Sequence, residues 1–425
     1  MSVQGVPRRY FDNAATSFPK PPGVVLAMAR YMTEVGAAGR GGYAEARESA
    51  ALIHRCRERL RRLINGESAE HVVFTLNTTD ALNLAIKGAA RGFAKRTGKR
   101  PPPHAVITGM EHNSVLRPCN ELARDGLLDL TIVDADPATG MLDPRDVLAG
   151  VRPGRTAFVA INHASNVIGT VQAIETIGPM LRASAGDAER PLFLVDGSQS
   201  LGHWPVDVRR AEIDLLAFPG HKGLLGPTGT GGLYIRPGIE SRLATFREGG
   251  TGSASEQETH PSMLPEKYEA GSHNTVGIVG LSEGIAWILE RGVDELRTHE
   301  VSLLGALLDG LAGLAEDGVR LLGAVPATQR VGVVSFTHAL YSPAELSAIL
   351  ESEFGILCRA GLHCAPLVHR MLGTAPHVGV AVSRGEGAVR LSLGPFLEHT
   401  DVETAVEAIA SVCSSQPHAT TERTN

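Results

Sequence analysis

A handful of polar residues stand where apolar runs end, and together they could carry out chemistry that none could perform alone. Asn77-Thr78-Thr79 follows HVVFTL, Met110-Glu111-His112 follows HAVITG, and Asn166 comes just after TAFVAINH. Asp196 closes PLFLVD ahead of Gly197-Ser198-Gln199, and His221-Lys222 follows DLLAFPG. Lys222 is one of only six lysines among 40 lysine and arginine positions. A guanidinium stays protonated and is a poor nucleophile, whereas a lysine amine can lose its proton and attack a carbonyl. A lysine amine, a carboxylate and a phosphate cradle are what a pyridoxal phosphate enzyme requires: the amine forms the Schiff base and the carboxylate faces the pyridine nitrogen.

Taken one at a time, these residues have plainer readings. Thr78 or Thr79 could be an N-cap, although a helix N-terminus also binds phosphate. Asp196 could be a turn residue, His112 a surface or core histidine, and Lys222 a solvated side chain. The stretch GLLGPTGTGG lacks the Gly-Lys-Ser/Thr ending of a phosphate-binding P-loop, so its glycines read as tight turns.

Of the five cysteines, Cys56 lies in an amphipathic helical pattern, Cys119 and Cys413 have no motif around them, and Cys358 follows the apolar FGIL. Cys364 stands in Arg359-Ala-Gly-Leu-His363-Cys364-Ala-Pro366. It could be a buried loop cysteine, or a thiolate favoured by positive charge from His363 and Arg359. The adjacent His363 and Cys364 lack the CxxC or second histidine pair that would complete a metal site.

Along the chain, the elements that would position these groups alternate. Short Val/Ile/Leu/Phe runs at 71–76, 104–109, 130–135, 156–163, 191–196, 214–220 and 231–235 are separated by helical patterns. This predicts βα units around a largely parallel sheet, with ligands at the carboxyl ends of the strands. Two helical stretches (280–292 and 294–316), strands at 331–338 and 388–394 and a helix near 342–354 predict a smaller α+β domain. The expected division is a large domain at 17–271 and a small domain at 272–425 joined by 1–16. The polar tail from Ser414 is expected to be disordered.

With 425 residues and 43 % hydrophobic but only 4 % aromatic side chains, the core is expected to be aliphatic. A formal charge of −6 argues against nucleic-acid binding. No apolar run approaches the ~18–20 residues of a membrane span. The start of the chain lacks the apolar region of a signal peptide, and five scattered cysteines do not form a disulfide framework. A cytoplasmic protein is expected.

The motifs YFDNAATS (10–17), GRGGYAEAR (39–47), FTLNTTDALNLA (74–85), MEHNSVLRP (110–118), NHASNVIGT (162–170), VDGSQ (195–199), FPGHKGLLGPTGTGGLYI (218–235), EAGSHNT (269–275), RAGLHCAP (359–366) and RLSLG (390–394) occur in order over nearly the whole chain. In them the chain resembles the class V aminotransferases, fold type I of the pyridoxal phosphate enzymes, and among these the cysteine desulfurases with a compact cysteine loop (group II). The resemblance implies a fold type I architecture, a large domain with a mainly parallel seven-stranded sheet plus a smaller α+β C-terminal domain. It implies that Lys222 holds pyridoxal 5'-phosphate and moves the substrate's Cα proton, and that Asp196 pairs with the pyridinium nitrogen. Gln199 and Asn166 would touch the ring hydroxyl, His112 would stack on the ring, and Thr78, Thr79 and His221 would bind the phosphate. Ser272 would reach the phosphate from a partner subunit of a homodimer. Arg390 would clamp the substrate carboxylate, with Asn166 nearby, and Arg40 would lie near the substrate entrance. Cys364 would take sulfur from L-cysteine as a persulfide, releasing alanine, and pass it to an acceptor protein for sulfur mobilisation such as iron–sulfur cluster assembly. Selenocysteine could enter the same site, and a selenocysteine lyase, another C–S lyase or an epimerase of the same family is the alternative. No metal, nucleic acid or membrane partner is implied. Three departures stand out: Pro219 where a serine is common, Ser272 where threonine is usual, and Tyr43 where a histidine is common.

Overall fold

The computed structural model describes residues 6–37, 39–98, 101–184, 189–253, 256–376 and 385–414; the tail expected to be disordered lies outside them beyond Ser414. After a two-residue strand β1 (Arg9–Tyr10), the chain forms α1 (Pro22–Arg30) and α2 (Ala44–Leu63). Seven strands follow: β2 (Val72–Thr75), β3 (His104–Thr108), β4 (Asp129–Val133), β5 (Thr156–Asn162), β6 (Leu192–Asp196), β7 (Leu215–Pro219) and β8 (Gly231–Ile235). They make one sheet in the order β2-β8-β7-β6-β5-β3-β4. Strands β3 to β7 are parallel, and β8 runs antiparallel to both β7 and β2. The eleven residues between β7 and β8 are too few for a parallel crossover, which needs a dozen or more residues, so β8 must return antiparallel.

Both faces of this sheet are covered, which is why its strands read as unbroken apolar runs. The period-two alternation nevertheless sorts them. Val73, Ala105, Ile107, Phe158, Ala160, Leu192, Leu194, Leu215 and Ala217 pack on one face with α3 (Thr78–Thr97) and α4 (Asn113–Arg124). Phe74, Val106, Val159, Ile161, Phe193, Val195, Leu216 and Phe218 pack on the other with α2, α5 (Pro144–Ala149), α6 (Ile174–Ala183) and α7 (Thr275–Arg291).

Beyond α7 and α8 (Val293–Ala312) lies a second core. The antiparallel sheet β12-β13-β10-β9 joins β9 (Val319–Leu321), β10 (Val333–His338), β12 (Arg359–Gly361) and β13 (Ala388–Ser392). Strand β11 (Ile356–Leu357) pairs in parallel with β1, tying the start of the chain to this unit. The helices α9 (Pro343–Phe354), α10 (Pro366–Met371) and α11 (His399–Ser414) complete it. A capping box at Ser342 and Glu345, with Pro343 in the first turn and left-handed Gly355 at the end, sets the limits of α9. The core of this unit is Leu303, Leu307, Val334, Phe336, Leu346, Leu350, Val389, Leu391, Ala405 and Ile409. No helix among the described residues is long and apolar enough to cross a membrane.

Candidate active site

The parallel strands reverse direction of travel across the sheet between β3 and β5, so their carboxyl ends open a crevice at that point. A pocket there is lined by Asn77, Thr78, Thr79, His112, Ser114, Asn162, Asn166, Asp196, Ser198, Gln199, Pro219, His221 and Lys222. Eight of the residues expected from the sequence therefore converge on one space from five strand ends.

Lys222 is half-buried, with a flank open to the pocket. Desolvation pulls its amine down to about 8; the Asp196 carboxylate opposes this, and Arg390 and Arg359 reinforce it. A neutral amine is thus accessible close to neutrality. Asp196 is buried, and Oδ1 accepts the Ser198 N–H at 2.9 Å and the Ser198 hydroxyl. Burial raises its carboxyl above the usual range, against the pull of Ser198 and Lys222. The backbone carbonyl of His221, immediately before Lys222, is held by Ser17 N at 2.9 Å, Thr16 Oγ1 at 3.0 Å and Lys20 Nζ at 3.0 Å. The N-terminal YFDNAATS segment is therefore a wall of the lysine loop. On the far side, a Cβ on Gly223 would lie 2.2 Å from the Leu201 carbonyl oxygen, so this glycine permits a close backbone approach and is not merely a turn residue. Pro219 has an explanation too. The β6–β7 ladder ends at Asp196 and Ala217, so no ladder bond on that side needs an N–H at 219.

At the phosphate end, Asn77 caps α3 by accepting from Asp80 N at 3.0 Å. The first-turn N–H groups at Thr78 and Thr79 have no intrahelical carbonyl to bond. Ser114, which the sequence reading missed, links two of its expected residues. Its Oγ lies 2.8 Å from Thr79 Oγ1 and 2.8 Å from His112 Nδ1, and its N–H donates to that nitrogen at 3.1 Å. The ring nitrogen that accepts is bare, so His112 is the Nε2–H tautomer; burial, then Lys222 and Arg359, lower it to about 4. His221 is likewise neutral, lowered to about 4 by burial, Lys222 and Lys20.

Arg390 is fully buried on β13, where Nη1 donates to Asn166 O at 3.0 Å and Nη2 to Asp12 Oδ1 at 2.7 Å. Asn166 donates Nδ2 to His363 O at 2.6 Å, and Cys364 O accepts Asn113 N at 2.8 Å. These bonds bring the cysteine loop to the pocket, and the charge of Cys364 acts on both Lys222 and Arg390. His363 and Cys364 are consecutive non-glycine residues in the left-handed region, at φ of 49° and 58°. Such a conformation costs about 1–2 kcal/mol per residue. Cys364 is exposed, whereas burial raises the thiols of Cys56 to about 12, Cys358 to about 11, and Cys119 and Cys413 upward.

The expectation that His363 lends positive charge to this thiol is overturned. Its ring is buried, and desolvation, followed by Arg390 and His369, lowers it to about 2, so it is neutral. The cations in electrostatic contact with Cys364 are Arg390 and Lys222. Arg40 and Ser272 are not part of the pocket lining. Both are exposed, and they lie together, Arg40 Nη2 donating to Gly271 O at 2.5 Å. A second missed residue is Glu111, buried behind the pocket floor. Oε1 accepts from Thr108 Oγ1 at 2.7 Å and Asn162 N at 3.1 Å, while Oε2 has no partner among the described residues. Burial raises its carboxyl to about 8.

A lysine at the carboxyl edge of a seven-stranded mixed sheet, backed by a smaller C-terminal α+β unit, defines the fold type I architecture of the pyridoxal phosphate enzymes. Within it the chain belongs to the class V aminotransferase family: the model of that family, Aminotransferase class-V, matches residues 9–404. The sequence is 34% identical over 406 residues to a probable cysteine desulfurase of Methanothermobacter thermautotrophicus, covering 95% of this chain and 94% of that protein. It is 33% identical over 417 residues to a probable cysteine desulfurase of Pyrococcus abyssi, covering 96% of each. The fold matches the apo structure of a cysteine desulfurase from Thermococcus onnurineus NA1 with a TM-score of 0.83 and 31% identity, covering 95% of this chain and 94% of that one.

Proposed function

We propose that this chain is a cysteine desulfurase that uses pyridoxal 5'-phosphate to convert L-cysteine to L-alanine, leaving the sulfur as a persulfide on Cys364 for an acceptor protein. The observation that carries the reading is the placement of the one exposed cysteine on a constrained turn within electrostatic reach of Lys222 and Arg390. An aminotransferase or epimerase has no use for such a thiol.

The pocket fits the cofactor. His221 Nδ1 and Asn166 Oδ1 are buried without partners among the described residues, and both side chains line the space. A phosphate is suited to the α3 N-terminus with Thr78, Thr79 and His221. Asp196 would hold the pyridine nitrogen protonated, Asn166 and Gln199 would meet the ring hydroxyl, and His112 would lie against the ring. Bound there, the cofactor supplies the electron sink that acidifies the substrate's Cα and weakens its Cβ–S bond.

The chain's own residues supply the rest. The Lys222 amine takes the Cα proton on Nζ. Arg390 binds the substrate carboxylate through its guanidinium. The Cys364 thiolate attacks the substrate sulfur, forming the S–S bond as the S–Cβ bond breaks. That bonding pair stays with Cβ, which takes a proton to become the alanine methyl group. The terminal sulfur of the Cys364 persulfide is then the atom handed on.

The reading extends to a homodimer. Val25 and Leu26 of α1, Met32 just beyond it, Phe18 and Tyr43 are more than half exposed. Such an apolar surface suits a second copy. Arg40 and Ser272, exposed together outside their own pocket, would then serve the partner's site. Light scattering of the purified protein tests this, and a monomer at micromolar concentration would exclude it.

The reaction is tested by mass spectrometry after incubation with L-cysteine. A gain of about 32 Da, one sulfur atom, is expected on the Cys364 peptide. Cys364→Ser should lose alanine production and keep the visible absorbance of the bound cofactor. Pyruvate and ammonia in place of alanine would identify a lyase instead.

A further inference from the structure

Behind the cysteine loop runs a buried chain of side-chain hydrogen bonds none of whose members lines the pocket. His363 Nδ1 lies 3.2 Å from His369 Nε2, and His369 Nδ1 lies 2.8 Å from Thr374 Oγ1. His363 Nε2 faces the carbonyl oxygen of Arg359 at 3.4 Å. All three side chains are at most 3% exposed.

The proton order follows from the fixed end. The Arg359 carbonyl can only accept, so His363 carries its proton on Nε2 and presents a bare Nδ1. His369 must then donate from Nε2, which leaves its own Nδ1 bare, and the Thr374 hydroxyl, 2.8 Å from that nitrogen and 3.2 Å from the His369 carbonyl oxygen, donates to the nearer acceptor, Nδ1. Running the chain the other way would set two lone pairs against each other at Arg359 O. The relay therefore has a single direction, from the hydroxyl of Thr374 to the backbone of β12. It anchors the His363 ring between α10 and β12, while Asn166 and Asn113 hold the carbonyls of His363 and Cys364 at 2.6 and 2.8 Å. Two consecutive left-handed residues persist only where their surroundings over-determine them. Here the side-chain relay and the two asparagines together supply that constraint.

We propose that His369 and Thr374 are positioning residues for the sulfur-transfer step: through the His363 ring they fix the left-handed His363–Cys364 turn and thereby aim the Cys364 thiol at the substrate bound beside Lys222. This deepens the desulfurase reading and rests on it. The relay acts on the thiol and not on cofactor or substrate binding, so its loss separates kcat from KM.

The test uses the cofactor-loaded enzyme and two variants of one residue. Thr374→Val keeps the shape and removes the donor, and Thr374→Ser keeps the hydroxyl. In Thr374→Val, kcat for alanine formation should fall at least fivefold with KM for cysteine within twofold and the cofactor's visible band unchanged. The rate of Cys364 alkylation by iodoacetamide, measured without cysteine, should change at least threefold. Thr374→Ser should restore both to within twofold of the parent. Parental kcat and alkylation rate in Thr374→Val would overturn the proposal, as would loss of the cofactor band, which would make the relay a general support of the fold. Cys364→Ser, run alongside, separates the two readings: alanine production that survives it removes the desulfurase mechanism itself, whatever Thr374→Val shows.

Discussion

Arg390 donates to the Asp12 carboxylate at 2.7 Å, so the cation best placed for a substrate carboxylate already has an anion of its own. Burial lowers the guanidinium's proton affinity and Asp12 raises it. Breaking a buried pair from one side leaves an uncompensated charge, but Asp12 is 23% exposed, which tempers the cost. Asp12→Asn should lose about 1–3 kcal/mol of stability by thermal denaturation, less than the 3–5 typical of a fully buried pair. Added L-alanine should raise the Tm of Asp12→Asn more than that of the parent, because its carboxylate supplies the missing anion. Arg390→Ala should raise KM for cysteine roughly 10- to 100-fold, the worth of a charged hydrogen bond. An unchanged KM would mean that another residue holds the carboxylate.

The lowering of Lys222 to about 8 sets a pH dependence. The neutral amine is the nucleophile, and its fraction rises as pH rises through that value. Capture of pyridoxal phosphate by the cofactor-free protein, followed by visible absorbance, should accelerate from pH 6 to 8 and level off above about 9. Lys222→Arg should show no capture band at any pH. A profile still climbing steeply beyond pH 10 would mean that the amine is not desolvated as its burial implies.

Ser114 joins Thr79 to His112 through two 2.8 Å contacts. Ser114→Ala leaves the Ser114 N–H on His112 Nδ1 but frees the Thr79 hydroxyl and loosens the ring. Two neutral hydrogen bonds are lost, each worth about 1 kcal/mol at most, so the Kd for pyridoxal phosphate should rise roughly five- to thirtyfold. Titration of the cofactor-free protein measures it, and an unchanged Kd would show that the link does not matter.

Much of the pocket was legible in the sequence because its residues follow strands whose apolar runs are easy to find. Thr78, His112, Asn166, Asp196 and Lys222 could be placed at one rim by strand order alone. Ser114 and Asp12 lay inside motifs already noticed, yet nothing in their spacing shows whose hydrogen bonds they complete. The neutrality of His363 was not legible either, since a histidine beside a cysteine reads as a cation until its burial is known. The antiparallel return of β8 was hidden in a Gly-rich loop whose length, not its composition, decides direction. Arg40 and Ser272 lie outside the pocket of their own chain, and no single-chain pattern can say whose site they serve.

Glu111 gives the last test, because its carboxyl is raised to about 8 by burial, with Asp196 adding to the shift. The ordinary value of 4.5 applies when the chain is unfolded. Between these values the folded protein holds a proton that the unfolded chain has released. Stability from that proton is complete below about pH 4.5, declines as pH rises, and is gone above about pH 8. Glu111→Gln has no such proton to lose and keeps a hydrogen-bond acceptor toward Thr108 and Asn162. The Tm of Glu111→Gln relative to the parent should therefore rise between pH 5 and 8 and stay level above that. A difference that stays flat over this interval would show that the fold does not raise this carboxyl, because a Glu111 that stays charged titrates below about pH 4.5.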